Sequence, residues 1–403
     1  MKVRPFFTLT VAAFVGVMFT SLSGQGPSVG SHEDNHANNR GDGRRLFEKE
    51  TFGGNGRTCL TCHSQKTGTV SPRDAQARRQ ADPSDPLFVH DGSDDGHGVG
   101  VTRMLAEATV LMTIPLPPNV RLTDSTDRFV VVTRGIPTTL NTPALDPVLM
   151  LDGRQPTLEL QAGGAIHDHA QVAFDSPDTP TLPELELIRQ FQLTEAFFSS
   201  PELRNRAVGG PEPVLPRGNT ASERRGRRFF ENVPPNPAEG FRPGLCAHCH
   251  SGTLMNQTSQ FEPQFFGVPV KTGTRFQDVL VSFFNAAGNP VRHFIFNEGQ
   301  PNERHVDSPD PGRALITGQV DGDPAAGDTT FEHTNAFKIS QLRGIRRTAP
   351  YFHDNSAKTL EDVAKHYTRF FRFVTGEAIG LPPAIALTPQ DEADMVAFMK
   401  LLD

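Results

Sequence analysis

The pentads CLTCH at residues 59–63 and CAHCH at residues 246–250 use all 4 cysteines of this 403-residue chain. Cys-x-x-Cys-His is the attachment sequence of c-type haem. Each thiol adds across a haem vinyl group, and the adjoining histidine can then coordinate the iron from the proximal side. The sequence therefore predicts two covalently bound haem c groups, held by Cys59, Cys62, His63, Cys246, Cys249 and His250.

Two other uses of paired cysteines fit these pentads less well. A structural zinc site needs four closed ligands, and a thiol redox motif does not need a histidine directly after its second cysteine. With 4 cysteines and 14 histidines in the chain, two such pentads are not expected by chance. Because the pentads use every cysteine, no disulfide is expected.

The N-terminal segment has the composition of a secretory signal peptide. Lys2 and Arg4 precede an apolar stretch at residues 5–20, which small and polar residues follow. The stretch is short for a membrane-spanning helix, although an uncleaved signal anchor stays an alternative. We expect residues 1–24 to be a signal peptide and residues 25–40 a flexible linker. The mature protein is then periplasmic or otherwise exported, where haem is ligated to cytochromes c.

The charge balance argues against nucleic acid as a partner. The formal net charge is −7, and it becomes −9 when the signal segment with its two positive charges is removed. The basic run at residues 223–228 is short and more typical of a solvated helix face. Beyond the signal segment, nothing is apolar enough to span a bilayer, and no membrane partner is expected there.

The chain contains the same order of parts twice. GRRLFE at residues 43–48 and GRRFFE at residues 226–231 each precede a pentad. RGI at residues 134–136 and again at residues 343–345 is followed by an aspartate and, five residues after it, by Thr-Leu-Glu. Each threonine can cap a following helix. This repetition predicts an internal duplication.

Both halves end in apolar segments with helical periodicity, at residues 182–198 and from Thr388 onwards, where Pro389 suits the first helical position. The predicted fold is mainly α, with two cytochrome c-like haem domains in tandem and long Pro/Gly-rich loops. The domains are expected at 41–200 and 221–403, joined by a linker at 201–220, with one short strand at 128–133.

A block in the second half carries a family resemblance. QLRGI at residues 341–345, TAPYFHD at 348–354 and TLE at 359–361 resemble the bacterial dihaem cytochrome c peroxidase and MauG family. The resemblance implies an N-terminal haem that reacts with hydrogen peroxide or another small oxidant. It also implies a C-terminal haem that relays electrons from a small periplasmic cytochrome or copper protein. His63 and His250 match the proximal iron ligands of this family.

The resemblance also suggests the far ligand of the C-terminal haem. The family places a methionine or a tyrosine fourteen residues beyond the position of His353, which is Tyr367 here. A phenolate ligand would lower the haem potential relative to a thioether. His366 is the competing ligand, and Tyr367 as an ordinary half-buried aromatic is the alternative without a ligand role.

Two positions depart from the family. Leu151 stands where the relatives have a tryptophan between the haems, and the chain has no tryptophan. Electron transfer then relies on direct tunnelling or on another aromatic side chain. Gly135 stands where the relatives have an asparagine that helps to bind calcium. A calcium ion, which prefers six or more oxygens, is therefore only weakly predicted, with the carbonyls of Thr348 and Pro350 still available.

The open side of the N-terminal haem is predicted on the segment after residue 157. Gln161 matches a family glutamine, and Gln171 stands where the relatives carry a glutamate. A carboxylate can move the proton of peroxide, whereas an amide can only hydrogen-bond. His167 and His169 could supply the base instead, or could ligate the iron and close the site. A surface role for both histidines is equally open.

His97 is a further candidate iron ligand. It lies in the loop DGSDDGHG at residues 91–98 and is similar to the mobile histidine that blocks the N-terminal iron of some peroxidases. A Gly/Asp loop permits such motion. The same loop could be a calcium-binding or a solvated acidic turn. It precedes an insertion relative to the family at residues 99–133.

Two functions from different classes follow from these residues. The first is an exported dihaem oxidoreductase that activates peroxide at the N-terminal haem. The second is a dihaem electron-transfer cytochrome without substrate chemistry, in which His97 or His167 closes the first iron. Oxygenase chemistry on an organic substrate is a third possibility, with residues 116–118 lining a new pocket.

Overall fold

The computed structural model describes residues 42–261, 271–322, 331–377 and 385–402. The predicted signal peptide and the flexible linker that follows it lie outside these residues. Within the described ranges, no helix is long and apolar enough to cross a membrane.

Helices make up most of the regular structure in both halves. Those of the first half are α1 (42–48), α2 (Cys59–Cys62), α3 (Pro72–Ala81), α4 (Thr102–Glu107), α5 (Leu158–Ala170), α6 (Leu182–Thr194) and α7 (Pro201–Ala207). Those of the second half are α8 (Ala221–Phe229), α9 (Val281–Phe284), α10 (Ala314–Thr317), α11 (Leu360–Arg372) and α12 (Pro389–Met399). The first pentad forms α2, whereas the second lies in a run of turns.

The predicted helix starts are confirmed. The side chains of Thr157, Thr359 and Thr388 accept hydrogen bonds from backbone N–H groups in the first turns of α5, α11 and α12. Such caps satisfy donors that have no partner inside the helix. Pro389 occupies the start of α12, where its missing N–H costs nothing.

A glycine allows the helix before each pentad to approach the last long helix of its half. A β-carbon at Gly43 in α1 would lie 2.3 Å from the backbone oxygen of Leu187 in α6. A β-carbon at Gly226 in α8 would lie 1.9 Å from the oxygen of Asp394 in α12. Both halves therefore use the same close helix crossing, which only glycine permits.

The structure contains more sheet than the sequence indicated. The strand predicted at residues 128–133 is present as β3 (Phe129–Gly135), and it pairs antiparallel with β1 (Thr109–Pro115). Val130 and Val132 of β3 are buried, while Phe129 and Val131 are exposed, as expected of a half-buried strand. A three-stranded sheet contains β2 (Val120–Leu122), β5 (Arg292–Phe296) and β6 (Arg304–Ser308), and a small pair contains β4 (Phe276–Gln277) and β7 (Phe337–Lys338).

The two halves share a core. Strand β2, from the insertion at residues 99–133, pairs with β5 of the second half in an antiparallel register. Side chains of the β1–β3 hairpin and of β5 belong to one buried apolar cluster. Two further clusters pack beside the first and second pentads respectively. The predicted linker at residues 201–220 begins with α7, in which Leu203 is buried.

Candidate functional site

The first pentad lines a cavity between α2, α5 and α6. Its empty volume is about 680 Å³, including the part that opens to solvent. Cys59, Cys62 and His63 all face it. Burial lowers the pKa of His63 below its ordinary value, so the imidazole is neutral, as a metal ligand must be.

A backbone carbonyl fixes the ring of His63. Its Nδ1 lies 2.8 Å from the oxygen of Gly68, five residues along the chain. Gly68 has a φ of +66°, and a β-carbon there would lie 2.7 Å from the hydroxyl of Thr138. Histidines that bind metals usually donate the second ring N–H to a carbonyl in this way. Nε2 of His63 is therefore left for iron.

The second pentad repeats this geometry. Nδ1 of His250 lies 2.9 Å from the oxygen of Met255, again five residues along. Burial lowers the pKa of His250 to about 4. Cys246, Cys249 and His250 line a larger cavity of about 1730 Å³, including open solvent, between the second pentad and α11 and α12. The predicted attachment residues thus form two separate groups, each facing one cavity.

The four thiols do not have the character of reactive or zinc-binding cysteines. Burial raises the pKa of Cys59 and of Cys246 to about 12, and burial likewise raises that of Cys62. Reactive cysteines instead have a lowered pKa. Among the described residues, no group of three or more His, Cys, Asp or Glu side chains is arranged to hold a metal ion.

Helix α5 contributes the polar side chains of the first cavity. Gln161, Ala165 and His169 follow one another at intervals of four and line it together, because such residues share a helix face. Nδ1 of His169 lies 2.5 Å from Oδ2 of Asp91. This contact leaves Nε2 as the ring nitrogen that is not paired with Asp91.

Asp91 is the charged partner that sequence reasoning missed. The residue is 3% exposed, and its other carboxylate oxygen, Oδ1, forms a buried ion pair with Arg57. Burial by itself raises the pKa of Asp91, but contacts with His169 and Arg57 outweigh burial and lower it below the ordinary value. The carboxylate is therefore ionised.

The remaining predicted distal residues lie outside the first cavity. Nδ1 of His167 is 3.3 Å from Oδ1 of Asp168, and its ring lies on Phe174 with centroids 3.7 Å apart. Gln171 is exposed and ends α5 in the left-handed conformation with a φ of +60°. Of the two histidines on α5, only His169 shares the cavity with His63.

His97 also lies away from the first cavity, on an exposed loop. The loop is held by its own carboxylates: Oδ1 of Asp95 accepts hydrogen bonds from the backbone N–H groups of His97 and Val99. Asp94 accepts from two further backbone N–H groups at the start of α4. These contacts match the alternative of a solvated acidic turn.

Tyr367 is the polar group of α11 that faces the second cavity, which it lines with Cys246, Cys249 and His250. Burial, with the two cysteines adding to it, raises the pKa of the phenol above its ordinary value. Within the described residues its hydroxyl has no hydrogen-bond partner. The competing residue, His366, does not line the cavity, and its Nε2 lies 2.8 Å from the oxygen of Val279.

The segment after β3 separates the two cavities. Gly135 and the next three residues line the second cavity, whereas Thr139 lines the first. A side chain at Gly135 has no space, because a β-carbon would lie 2.2 Å from Oδ1 of Asn355. Leu151 lines the second cavity beside Phe337, whose ring stacks on His353 with centroids 3.7 Å apart.

No protein-family model matches the chain, and no curated protein matches it. Among solved structures, it is similar to a MauG-like protein associated with microbial copper homeostasis. The identity is 20%, the TM-score 0.49, and the match covers 90% of this chain and 89% of that chain. It is also similar to the diheme peroxidase BthA from Burkholderia thailandensis, at 16% identity and a TM-score of 0.44, over 91% of this chain and 86% of that chain.

Proposed function

We propose that this chain is an exported dihaem c-type oxidoreductase that activates hydrogen peroxide at its N-terminal haem and takes in electrons through its C-terminal haem. The observation that carries the proposal is the difference between the two pentad cavities. The first contains an amide, Gln161, and an imidazole, His169, that is paired with a carboxylate. The second is lined by the phenol of Tyr367, and among the described residues that line the first there is no tyrosine. We therefore assign proton transfer to the side chains of the first cavity and coordination of the C-terminal iron to Tyr367.

The residues present fit two haem groups. In each cavity two thiols lie beside an imidazole whose Nδ1 is bound to a carbonyl, so that Nε2 is free to coordinate iron. Haem supplies an iron that changes oxidation state and promotes cleavage of the O–O bond. The shared local geometry of the two pentads favours their origin by duplication.

In this proposal, His169 transfers protons in the first cavity and Gln161 orients the oxidant. Reduction of hydrogen peroxide to two water molecules consumes two electrons and two protons. Nε2 of His169 takes the proton from one peroxide oxygen and returns it to the oxygen that leaves as water. Gln161 donates a hydrogen bond that orients the oxidant. A histidine base thereby replaces the glutamate of the relatives, for which Gln171 is no substitute.

The electrons come from a small periplasmic cytochrome or copper protein in this scheme. An aliphatic side chain, Leu151, stands where the relatives have tryptophan, so transfer between the haems proceeds by direct tunnelling or through another ring. Phe337 is a candidate ring, since it lines the second cavity and the N–H of the next residue, Lys338, donates to the oxygen of Leu151 at 2.7 Å.

Haem stoichiometry and spin state test the proposal. The mature protein should gain the mass of two porphyrins, and a pyridine haemochrome assay should find two haems per chain. The ferric protein should contain a high-spin component that hydrogen peroxide alters. A purely low-spin spectrum that neither peroxide nor partial reduction changes would contradict peroxide activation and would support the electron-carrier alternative.

Replacing Tyr367 with phenylalanine is expected to change the optical and electron paramagnetic resonance spectra of the C-terminal haem. The reason is that Tyr367 carries the oxygen available to that iron on α11. The potential of this haem should rise when the phenolate is lost. Tyr351→Phe is the matched control, because the Tyr351 hydroxyl donates to the oxygen of Ile345 at 2.9 Å and is not free. Unchanged spectra in Tyr367→Phe would eliminate the ligand assignment.

A further inference from the structure

We propose that Asp91 is a positioning residue for His169, which it holds as a proton acceptor in the first cavity, and that Arg57 fixes Asp91 in place. This inference rests on the proposed function and deepens it. The resemblance had pointed to α5 alone for this role. In the structure, two loops also contribute: the loop before the first pentad carries Arg57, and the loop that begins at residue 91 carries Asp91.

The two oxygens of Asp91 have separate tasks. Oδ1 pairs with Nη1 of Arg57, while Oδ2 lies 2.5 Å from Nδ1 of His169. The side chains of Arg57 and Asp91 are 2% and 4% exposed, so water does not compete for the pairing of these two groups. Because an ionised carboxylate only accepts hydrogen bonds, Nδ1 of His169 carries the proton. Nε2 then has the free lone pair of a ring that lines the cavity.

Arg57 is itself fixed by backbone carbonyls. Its Nε donates to the oxygen of Pro86 at 2.8 Å, and its Nη2 donates to those of Leu87 at 3.0 Å and Val89 at 2.6 Å. The guanidinium thus ties the loop before Cys59 to the segment that carries Asp91. A carboxylate held in this way cannot turn away from His169 without leaving Arg57 buried and unpaired, which is costly.

The end of α5 is anchored to the same loop. The backbone N–H of Asn55 donates to the oxygen of Ala170 at 2.8 Å, and Nδ2 of Asn55 donates to the oxygen of His169 at 2.9 Å. A β-carbon at Gly54 would lie 2.2 Å from the oxygen of Ala170, so only glycine allows this approach. Hydrogen bonds therefore fix the backbone at His169 as well as its ring.

An oriented base of this kind follows a general pattern in which a carboxylate selects the histidine tautomer and stabilises the imidazolium. When Nε2 accepts a proton, the positive ring lies next to the ionised Asp91. Removing the charge of Asp91 therefore weakens His169 as a base without removing the imidazole. A purely structural ion pair between Arg57 and Asp91 would have no such effect on His169.

The test uses the purified dihaem protein, with potassium cyanide as the probe. Hydrogen cyanide must lose its proton to bind ferric haem, so the rate of binding reports the base in the cavity. Asp91→Asn is expected to slow cyanide binding to the N-terminal haem about 10- to 100-fold, the range found for partners that orient a histidine at a metal site. His169→Gln should slow it at least as much.

Asp307→Asn is the matched control. Oδ1 of Asp307 lies 2.8 Å from Nδ1 of His293 in an exposed pair on β5 and β6, outside both pentad cavities. This substitution removes the same charge beside the same ring, and the cyanide rate should equal that of the unmodified protein.

Asp91→Glu is a second variant, which keeps the test decisive if Asp91→Asn does not fold. Glutamate keeps the charge that Arg57 needs but displaces the carboxylate by one methylene. Its cyanide rate should lie between those of the unmodified protein and His169→Gln.

The outcomes separate this inference from the proposed function. Rates equal to that of the unmodified protein in both Asp91 variants, with a slow His169→Gln, overturn the role of Asp91 and leave the proposed function standing. Failure of the unmodified ferric protein to bind cyanide or to react with peroxide overturns the proposed function, and the role of Asp91 with it.

Discussion

Replacing His169 with glutamine is expected to slow the reaction of the N-terminal haem with hydrogen peroxide by about 100- to 10,000-fold. This is the range that a positioned general acid–base contributes. Glutamine can still donate and accept hydrogen bonds, but it cannot take up the peroxide proton. Stopped-flow spectroscopy of the ferric protein with increasing peroxide gives the second-order rate constant directly.

His167 provides a sharp comparison for this prediction. It lies two residues from His169 on the same helix, yet its ring packs on Phe174 rather than on the cavity. We expect His167→Gln to change the rate constant less than threefold. A tenfold change would correspond to about 1.4 kcal/mol of activation free energy. Equal losses in both variants, or no loss in His169→Gln, would contradict the assignment of the base.

The haem attachment residues could be predicted because all the groups that form each site lie within a few residues of one another in the sequence. A pentad contains both thiols and the imidazole, and the supporting carbonyls of Gly68 and Met255 lie only five residues beyond each histidine. Helix starts such as Thr157 and Thr388 are equally local, since a cap bonds to an N–H within its own first turn. For these parts the local pattern and the final structure agree.

Which of His167 and His169 lines the first cavity could have been predicted from the sequence. Residues two apart on a helix differ by about 200° in direction, so one histidine at most can share a face with Gln161. The interval of eight residues from Gln161 to His169 keeps both on one face, whereas the interval of six to His167 does not. Helical geometry applied to Gln161 would have selected His169.

Asp91 could not be identified in the same way. It lies 78 residues from His169 in the chain, in an acidic loop whose composition indicates a solvated turn. Neighbouring Asp94 and Asp95 do cap backbone N–H groups, as such a composition predicts. Only the fold shows that one carboxylate of this loop is buried against Arg57.

The sheet was underestimated for a related reason. The strand at residues 128–133 had a β-branched signal, but its partner β1 lies within an insertion whose Thr, Leu, Met and Ile residues do not separate strand from helix. The pairing of β2 with β5 joins residues that are more than 170 apart. Such long-range pairing leaves no mark in a local window, and it joins the two halves that the duplication suggested as separate domains.

The buried charge cluster around Arg134 is where the structure predicts the largest loss of stability. Arg134 lies 2.5 Å from Asp152 and 2.6 Å from Asp310, joining the end of β3 to the second half of the chain. All three side chains are at most 3% exposed. Arg134→Met should lower the free energy of unfolding by about 3–5 kcal/mol, because it leaves the buried Asp310 without its arginine and the buried Asp152 with Arg154 alone.

The control for this variant is Arg121→Met. Arg121 pairs with Glu298 on the surface, where the two side chains are 40% and 52% exposed, and such pairs contribute about 0–1 kcal/mol. Urea unfolding at neutral pH, followed by circular dichroism, measures both losses. A loss in Arg134→Met no larger than that in Arg121→Met would contradict the role of the cluster.

The effect of Arg134 should also depend on pH in a defined direction. Burial alone raises the pKa of Asp152, but Arg134 and Arg154 outweigh burial and lower the pKa below its ordinary value. A carboxyl with a lowered folded pKa stabilises the protein fully above its unfolded pKa of about 3.9, and this stabilisation disappears as the pH falls through the folded value. Without Arg134, burial of Asp152 favours its protonated form. The difference in stability between the unmodified protein and Arg134→Met should therefore be largest at neutral pH and shrink as the pH falls. A difference that grows on acidification would mean that Asp152 is protonated in the folded protein, and the ion pair could not then be what stabilises this junction.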